Sequence, residues 1–368
     1  MADIKRIGIL TSGGDCAGLN AAIRAVVHRA IGTYGWEVFG IIRSTRGLLQ
    51  RPPQFKRLEL DDTYPLLTTG GTILGTTNKG NPFAFPMPDG SIGDRSQEII
   101  EGYHQLQLDA LIGVGGDGSL AILRRLAAQG EIRLVAIPKT IDNDLGSTER
   151  AIGFDTAVNI ATEALDRLHF TAASHSRVMI LEVMGRDAGH IAISAGIAGG
   201  ADIILIPEIQ YSLDAICNHI AWLQKQGRSY ATMVVAEAVC NENGEKITRD
   251  YAFSQCRLGG VGQYLADSIS ARTEAETRVT VLGHVQRGGT PSPLDRLTAT
   301  VFGVAATDLI AEGRFDRMVS WQNRRVVDVP IESAIAHYQA VDPQGTLVRT
   351  ARAMGIYLGD PAKVPVSV

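Results

Sequence analysis

The sequence predicts an α/β fold in which mostly parallel sheets are covered by helices on both faces. Short apolar runs of four to six residues alternate with Ala-rich helical stretches, and a glycine-rich or charged loop follows most runs. The first run covers residues 7–10 and leads through a glycine loop into a helical pattern over residues 20–31. Continuous apolar runs of this length are typical of strands buried on both faces of a parallel sheet.

Further apolar runs extend this alternation along most of the chain. They cover residues 110–114, 134–138, 178–183, 233–236 and 279–282. A chain of 368 residues is long enough for more than one core, and we predict two Rossmann-like halves that divide near residues 150–155. Ligands of open parallel sheets bind at the carboxyl ends of the strands, so the loops after these runs form the candidate site.

Composition and charge argue against several classes of function. The formal net charge is −4, which provides no overall basic field for nucleic acid. The cysteines (Cys16, Cys217, Cys240 and Cys256) lack C-x-x-C spacing, so we expect neither a disulfide framework nor a zinc site. The chain begins without the apolar stretch of a signal peptide, and its apolar runs are too short to span a membrane. We therefore expect a cytoplasmic protein.

Two glycine-rich loops predict phosphate binding. Residues 13–18 (GGDCAG) follow the first strand and precede a helix, and residues 115–119 (GGDGS) repeat this arrangement. Glycine lets the backbone approach an anion, and a helix N-terminus adds partial positive charge. A tight turn is the alternative for the first loop, and a helix N-cap is the alternative role for Asp117. Because Asp117 would repel a phosphate, a Mg²⁺ ion between the two suits it.

Residues 139–144 (KTIDND) predict phosphoryl transfer. Asp142 and Asp144 lie two residues apart at the end of a strand, where one carboxylate can face a metal and the other a substrate hydroxyl. Phosphoryl transfer mainly needs positioning, charge neutralisation and an acceptor for the hydroxyl proton. An Asx-rich turn is the alternative interpretation, but two phosphate-type loops precede this segment in the same half.

Residues 284–289 (HVQRGG) follow another strand and place His284 three residues before Arg287. The planar guanidinium fork of arginine matches phosphate oxygens, so these two side chains, with Arg278 nearby, form a candidate sugar-phosphate clamp. The other half of the chain offers three more charged residues near strand ends, which singly would be interpreted as surface charges: Arg177, Arg186 and Glu237.

Together these segments resemble the 6-phosphofructokinase family, in the family's order and over roughly residues 5–300. The matching segments are residues 13–15, 115–119, 138–144, 174–177 and 184–186, Glu237 and residues 278–289. The resemblance implies a phosphofructokinase-like fold and the phosphorylation of fructose 6-phosphate to fructose 1,6-bisphosphate with Mg-ATP in glycolysis. It also implies two domains: a nucleotide-binding domain of residues 1–153 plus about 286–336, and a sugar-phosphate-binding domain of residues 154–285 plus about 337–368.

The resemblance assigns roles position by position. Catalysis would fall to Asp142 as the base, with Thr140 and Arg186. Mg²⁺ would be held by Asp117 and Asp144. The nucleotide would be bound by Gly14, Asn78, Lys79, Gly116, Asp117, Gly118 and Ser119. The sugar phosphate would be bound by Thr140, Ile141, Asp142, Arg177, Met184, Gly185, Arg186, Glu237, Arg278, His284, Val285, Gln286 and Arg287. Arg177 and Arg278 would reach in from a neighbouring subunit of a homotetramer.

Two positions disagree about the phosphoryl donor. Gly118 matches the ATP-using members of the family, where pyrophosphate-using members have Asp. Lys139 instead matches the pyrophosphate-using members, and Asn78 stands where typical bacterial members have Arg. We predict ATP, because an Asp at position 118 would repel the nucleotide whereas Lys139 is compatible with either donor. Pyrophosphate and ADP remain alternative donors.

A candidate effector site departs from the family pattern. Arg24 is present, but His28 and His169 stand where arginine is expected. Histidine loses its charge near neutrality, so we expect a phosphate effector to bind there weakly or with a pH dependence. Allosteric regulation is therefore left to experiment.

Two other classes of protein remain as alternatives. Diacylglycerol- and NAD-kinase-like enzymes also present Gly-Gly-Asp-Gly after a strand, but residues 139–144 and 284–289 argue against them. A non-catalytic sensor of sugar phosphate or nucleotide is the second alternative. The presence of all three carboxylates, Asp117, Asp142 and Asp144, argues against a sensor. We expect neither a nucleic acid nor a membrane as partner.

Overall fold

The structure is a computed structural model that describes residues 4–251 and 255–359. In chain order the strands are β1 (Arg6–Thr11), β2 (Glu37–Ile41), β3 (Phe55–Leu58), β4 (Phe85–Pro86), β5 (Ile92–Gly93), β6 (Ala110–Gly115), β7 (Leu134–Pro138), β8 (Val178–Val183), β9 (Ile203–Leu205), β10 (Ala231–Ala236), β11 (Thr248–Tyr251), β12 (Gln255–Leu258), β13 (Thr277–Val281), β14 (Arg317–Gln322) and β15 (Arg325–Pro330). The α-helices are α1 (Leu19–Tyr34), α2 (Thr45–Leu49), α3 (Ser96–Gln105), α4 (Asp117–Gly130), α5 (Phe154–His175), α6 (His190–Ala198), α7 (Leu213–Lys225), α8 (Val261–Arg272), α9 (Pro293–Ala311), α10 (Ile331–Ala336) and α11 (Thr346–Ala353). Short 3₁₀ helices cover Asp61–Leu67, Pro82–Ala84 and Gly283–Arg287.

The described residues form two compact units. The first comprises residues 4–141, 145–156 and 287–338, and the second comprises the remaining described residues, including 142–144. The domain ranges expected from the sequence put Asp142 and Asp144 in the first half, whereas both residues group with the second unit. A backbone hydrogen bond connects this segment to the rest of the second unit: the amide of Gln339 donates to the carbonyl of Asp144 over 2.9 Å.

A seven-stranded sheet forms the centre of the first unit, in the order β15-β14-β7-β6-β1-β2-β3. The five central strands pair in parallel, and the edge strands β3 and β15 pair antiparallel. The apolar runs of the central strands supply core residues such as Ile7, Ile112 and Val135, all fully buried. Helix α4 packs on β6 and β7, and α9 packs on β7 and β14.

The second unit contains a four-stranded sheet in the order β13-β8-β10-β9, and its three strand pairs are all parallel. Helix α6 packs on β9 and β10, and α8 packs on β8 and β13. Both sheets confirm the predicted fold class, α/β with mostly parallel strands flanked by helices. None of the described helices combines the length and the apolarity that a membrane crossing requires.

Two buried carboxylates fix the starts of helices. In the first unit, Asp295 accepts hydrogen bonds from the amides of Gly153 (2.9 Å) and Thr156 (2.8 Å) at the start of α5. In the second unit, Glu182 of β8 accepts from the amides of Gly260 (3.0 Å) and Gly262 (2.8 Å) at the start of α8. The first amides of a helix have no partner within it, so each carboxylate satisfies donors that would otherwise be buried unpaired.

The turn between β2 and α2 is strained at Ser44. This residue has φ 59° and ψ −145°, a conformation that favours glycine, and it is fully buried. Its Oγ has no hydrogen-bond partner within the described ranges. Ser44 therefore carries both backbone strain and an unsatisfied hydroxyl, each of which lowers the stability of the fold.

Replacing Ser44 with glycine is expected to stabilise the protein. Strain of this kind costs roughly 1–3 kcal/mol, while the extra flexibility of glycine in the unfolded chain removes about 1 kcal/mol of the gain. We expect Ser44→Gly to raise the free energy of unfolding by about 1 kcal/mol, measured by urea titration. The control Ser333→Gly, on exposed residue 333 of α10, should lower it by about 0.5 kcal/mol, because glycine disfavours helix. A lower unfolding midpoint for Ser44→Gly would contradict the assignment of strain.

Candidate active site

Loops at the carboxyl ends of β1, β6 and β7 meet in the first unit. The amide of Ser12 donates to the carbonyl of Val114 over 2.9 Å, and the amide of Lys139 donates to the carbonyl of Gly115 over 3.0 Å. These bonds follow from the parallel order of the three strands, which sets their last residues side by side. The structure thus brings together both glycine-rich loops and Lys139.

The side chain of Lys139 lies inside this group of loops. It is buried, and its Nζ donates to the carbonyl of Gly14 over 2.5 Å. A Cβ placed on Gly13, which has φ 84°, would lie 3.3 Å from this Nζ and 2.9 Å from Ser119 Oγ. A side chain at position 13 would therefore fill the space between the first glycine loop, the second glycine loop and the ammonium group.

A third loop, which carries Asn78 and Lys79, is attached to the first glycine loop. Thr76 Oγ1 donates to the carbonyl of Gly13 over 2.7 Å, and the amide of Gly13 donates to the carbonyl of Thr77 over 3.0 Å. Asn78 and Lys79 are both exposed. No local sequence pattern marks the two threonines, because their bonds join segments that are far apart in the chain.

The second glycine loop leads directly into α4. Gly116 occupies the N-cap position and Asp117 is the first helical residue, so the N-cap alternative for Asp117 is wrong. Gly118 is exposed, and among the described residues no neighbouring atom lies within 4 Å of a Cβ built on it. The fold itself therefore does not require glycine at position 118.

The carboxylates assigned to the metal suit a hard divalent cation that is bound partly by the protein and partly by substrate phosphates. Within the described ranges, no group of three or more His, Cys, Asp or Glu side chains is placed to hold a metal ion. Mg²⁺ is usually bound by one or two carboxylates together with substrate phosphates and water, not by a protein cage. The single carboxylate of Asp117 beside a phosphate-type loop matches that pattern, and Asp144 is a second, buried carboxylate in the other unit.

In the second unit, Asp142 and Arg186 lie close together. Arg186 Nε is 3.8 Å from Asp142 Oδ2, and the side chain of Arg186 is 60% exposed while that of Asp142 is 5% exposed. Arg186 has φ 51°, and its amide donates to Glu237 Oε1 over 3.1 Å. A non-glycine residue in this conformation is usually held by its surroundings at a functional site. Three predicted residues from three separate loops therefore meet here.

The side chain of Gln286 bonds the loop that carries Arg186. Its side chain is buried, and Oε1 accepts a hydrogen bond from the amide of Met184 over 2.8 Å. Its Nε2 is buried without a partner among the described residues. His284 and Val285, its predicted neighbours in the sugar-phosphate set, are exposed. A direct contact of Gln286 with substrate stays a prediction, while its contact with Met184 is a positioning role.

Arg287 belongs to the first unit, whereas His284 belongs to the second. Its Nη1 donates to the carbonyl of Asp15 over 2.9 Å, and a Cβ on Gly14 would overlap the guanidinium. Its Nε is buried and finds no hydrogen-bond partner within the described ranges. Arg287 is thus packed against the loop assigned to the nucleotide, and its role toward a sugar phosphate stays a prediction.

Arg177 and Arg278 share one carboxylate at the edge of the second sheet. Arg177 Nε is 2.9 Å from Glu276, and Arg278 forms a close ion pair with the same side chain. The hydrogen bond from Arg177, with the charges of both arginines, lowers the pKa of Glu276. The two arginines lie near each other because β13 and β8 pair in parallel, with Arg278 opposite Met179.

The remaining predicted residues are mostly internal. Ile141 is buried, and its Cγ2 would lie 3.3 Å from a Cβ on Gly153, so its side chain belongs to the core. Thr140 is also buried. Cys16 is fully buried within the first glycine loop, and burial raises the pKa of its thiol to about 12. Buried structural thiols are inert, so we assign Cys16 no nucleophilic role.

The candidate effector residues make internal contacts. His28 Nε2 is 3.0 Å from Thr63 Oγ1, and burial, with the nearby charge of Arg24, lowers the pKa of His28. His169 Nε2 is 2.7 Å from the carbonyl of Gly199 in the second unit. Arg24 and His28 lie one turn apart on α1. A histidine with a lowered pKa offers an anion less positive charge than an arginine does.

The phosphofructokinase family profile matches residues 6–310. A protein of Nostoc sp. described as "ATP-dependent 6-phosphofructokinase 1" is 70% identical over 360 residues, which cover 98% of this chain and 100% of that protein. A protein of Synechocystis sp. with the same description is 66% identical over 98% of this chain and 100% of its own length. The chain belongs to the phosphofructokinase family, which makes it a kinase, and kinase chemistry implies a divalent metal ion.

Solved structures agree on the fold. A Pichia pastoris phosphofructokinase crystallised in the T-state has a TM-score of 0.78 and 30% identity, covering 96% of this chain and 37% of that one. A pyrophosphate-dependent phosphofructokinase from Nitrosospira multiformis has a TM-score of 0.79 with 20% identity, covering 99% of this chain and 95% of that one. At 20% identity the second similarity shows the fold alone.

Proposed function

We propose that this chain transfers a phosphoryl group from Mg-ATP to the 1-hydroxyl of fructose 6-phosphate in the cytoplasm, as a step of glycolysis. The relatives that are 70% and 66% identical are described as ATP-dependent 6-phosphofructokinases, which supports ATP as donor. The structural observation that carries the proposal is the buried carboxylate of Asp142 next to the exposed guanidinium of Arg186, whose backbone is held by Glu237.

On the acceptor side, Asp142 takes up the proton of the attacking hydroxyl. A carboxylate accepts that proton as the new O–P bond forms and the bond from phosphorus to the leaving oxygen of ADP breaks, and the guanidinium of Arg186 lies 3.8 Å from this carboxylate. Arg186 also balances negative charge on the transferring phosphoryl group, because its fork of N–H donors matches phosphate oxygens. Thr140, Met184, Gly185 and Glu237 complete our proposed acceptor set, with the 6-phosphate bound by His284 and Arg287.

On the donor side, the amides after β1 and β6 and the N-terminus of α4 receive the nucleotide phosphates. The ammonium of Lys139 adds positive charge behind the first glycine loop, and Lys79 adds it from the third loop. When Mg²⁺ is bound, it neutralises phosphate charge, and Asp117 is our proposed ligand for it, with Asp144 a further candidate. The exposed, unobstructed position of Gly118 leaves room for a nucleotide.

Pyrophosphate is the second candidate donor. The buried ammonium of Lys139, 2.5 Å from the carbonyl of Gly14, places a full positive charge beside the loop that receives phosphate. Such a charge suits a small, highly charged donor as well as ATP. Gly118 argues for ATP, because no atom of the described residues lies within 4 Å of a Cβ built there.

We further propose a homotetramer in which Arg177 and Arg278 serve the site of a neighbouring subunit. Arg278 lies on the edge strand β13 and Arg177 directly precedes the neighbouring strand β8. Both guanidiniums are only partly committed, since they share the one carboxylate of Glu276. A substrate phosphate offers more acceptor oxygens than a shared carboxylate and would compete for these donors. The exposed valines Val281 and Val285 lie on the same segment.

Removal of the proposed base is expected to slow turnover strongly. Asp142→Ser should lower kcat by about 10² to 10⁴-fold, the usual contribution of a general base, with little change in the ATP KM. A coupled assay for fructose 1,6-bisphosphate measures this. The control Asp267→Ser, on an exposed residue of α8, should turn over normally. Near-normal kcat for Asp142→Ser would remove Asp142 from the base role.

A carboxylate at position 118 is expected to suppress ATP use. Gly118→Asp places a negative charge against the nucleotide phosphates, and we expect kcat/KM for ATP to fall about 10²-fold. Gly118→Ala is the matched control and should retain ATP kinetics, because no atom of the residues that the structure describes lies within 4 Å of a Cβ there. Equal ATP kinetics for Gly118→Asp and the wild type would show that this position does not select the donor.

Mixed oligomers test whether subunits share active sites. Asp142→Ser and Arg278→Ala subunits, dissociated and reassembled together, should regain activity above the sum of the two variants, because some sites then combine an intact Asp142 with an intact Arg278. Mixing Asp142→Ser with a chain that carries both substitutions is the control and should regain nothing. If the first mixture also fails to exceed the sum, Arg278 acts within its own subunit.

A further inference from the structure

A groove lies on the first unit at the end of its sheet where β7 and β14 begin. It has a volume of about 540 Å³ and is lined by the second half of α4, the start of β7, the loop before β14 and helix α10. Its apolar lining includes Ile132, Leu134, Phe315 and Ile335. Small-molecule sites usually have volumes of about 300–1,000 Å³ and a mainly apolar lining, so this groove is of suitable size.

Three guanidiniums line the same groove: Arg124, Arg125 and Arg133. Arg124 is committed, because its Nε and Nη2 both bond Asp316, at 2.9 and 3.1 Å, and its Nη2 also bonds Glu332. Arg125 and Arg133 differ, since among the described residues neither has a carboxylate within 4 Å. The lining of the groove therefore includes three arginines and one carboxylate, Asp316.

Aromatic rings hold the two uncommitted arginines. The guanidinium of Arg125 lies 3.7 Å from the ring centroid of Phe83, and that of Arg133 lies 5.7 Å from the ring centroid of Phe315. A cation–π contact uses the flat face of a guanidinium and leaves its in-plane N–H donors available. Both side chains are exposed, so these donors face solvent and are already restricted in position.

The C-terminus of α4 accounts for only part of this arrangement. Cations near a helix C-terminus are favourable by themselves, and Arg124 and Arg125 lie in the second half of the helix. That effect explains positive charge, but it requires neither an apolar cavity nor aromatic rings behind the guanidiniums. A site that binds an anion with two guanidiniums and packs its apolar part in the cavity explains the positive charge, the apolar lining and the aromatic rings together.

We propose that this groove binds a small organic anion. Its phosphate or carboxylate group would bond Arg125 and Arg133, and its apolar or aromatic body would lie on Phe315, Ile132 and Ile335. None of the residues assigned above to phosphoryl transfer lines the groove, so the site is separate from the proposed catalytic residues. It is also independent of the proposed function, because its recognition chemistry involves neither substrate.

Calorimetric titration with phenyl phosphate tests the proposal, because this probe combines one anionic group with one aromatic ring. We expect saturable binding to the wild type and weaker binding of inorganic phosphate, which lacks the apolar body. The double variant Arg125→Ala, Arg133→Ala should bind the probe about 10²-fold more weakly, since each charged hydrogen-bonding group is worth about tenfold. Arg325→Ala, on an exposed arginine of edge strand β15, is the matched control and should bind like the wild type.

A second variant keeps the test decisive if the double variant folds poorly. Ala128→Trp places a large ring in the groove without removing an arginine, and it should also abolish binding of the probe. Equal affinity for phenyl phosphate in the wild type and in both groove variants would overturn the proposal, as would the absence of saturable binding. Equal affinity of the wild type for inorganic phosphate and phenyl phosphate would show that the groove does not recognise an apolar or aromatic body.

Discussion

The buried ammonium group of Lys139 is the contact on which the donor side of the structure depends. Parallel pairing brings the ends of β1, β6 and β7 together, but loops rich in glycine have little side-chain packing to hold them. Lys139 connects the two glycine-rich loops, because its amide donates to the carbonyl of Gly115 and its Nζ donates to the carbonyl of Gly14. A buried charge requires polar or charged partners, and the carbonyl of Gly14 is one of them.

The segment that follows Lys139 changes partners within a few residues. Lys139 and Thr140 belong to the first unit, whereas Asp142 and Asp144 group with the second. The positive charge assigned to the donor and the base assigned to the acceptor therefore come from one short stretch of chain. A stretch this short has few ways to adjust, so any change in its backbone alters both assignments together.

Much of the fold was predictable, while the finer contacts were not. Apolar runs are set by burial, so the strands and the loops after them follow from local sequence. The sequence predicted that Asp142, Arg186 and Glu237 lie near strand ends, but it did not predict that Arg186 contacts both of the others. The contact of Arg287 with Asp15, the threonine bonds to Gly13 and the caps made by Asp295 and Glu182 join segments far apart in the chain. Such contacts are decided by tertiary packing, which leaves no periodic pattern.

The open space at Gly118 bears on how donor preference can change over evolutionary time. A residue that the fold does not constrain can be exchanged without first acquiring a compensating mutation elsewhere, so selection acts on it through its ligand alone. The opposite holds for Lys139, whose replacement would leave the carbonyl of Gly14 without this donor. A lineage of such enzymes is therefore freer to drift at position 118 than at position 139, and its substrate range is correspondingly easier to diversify from the first site.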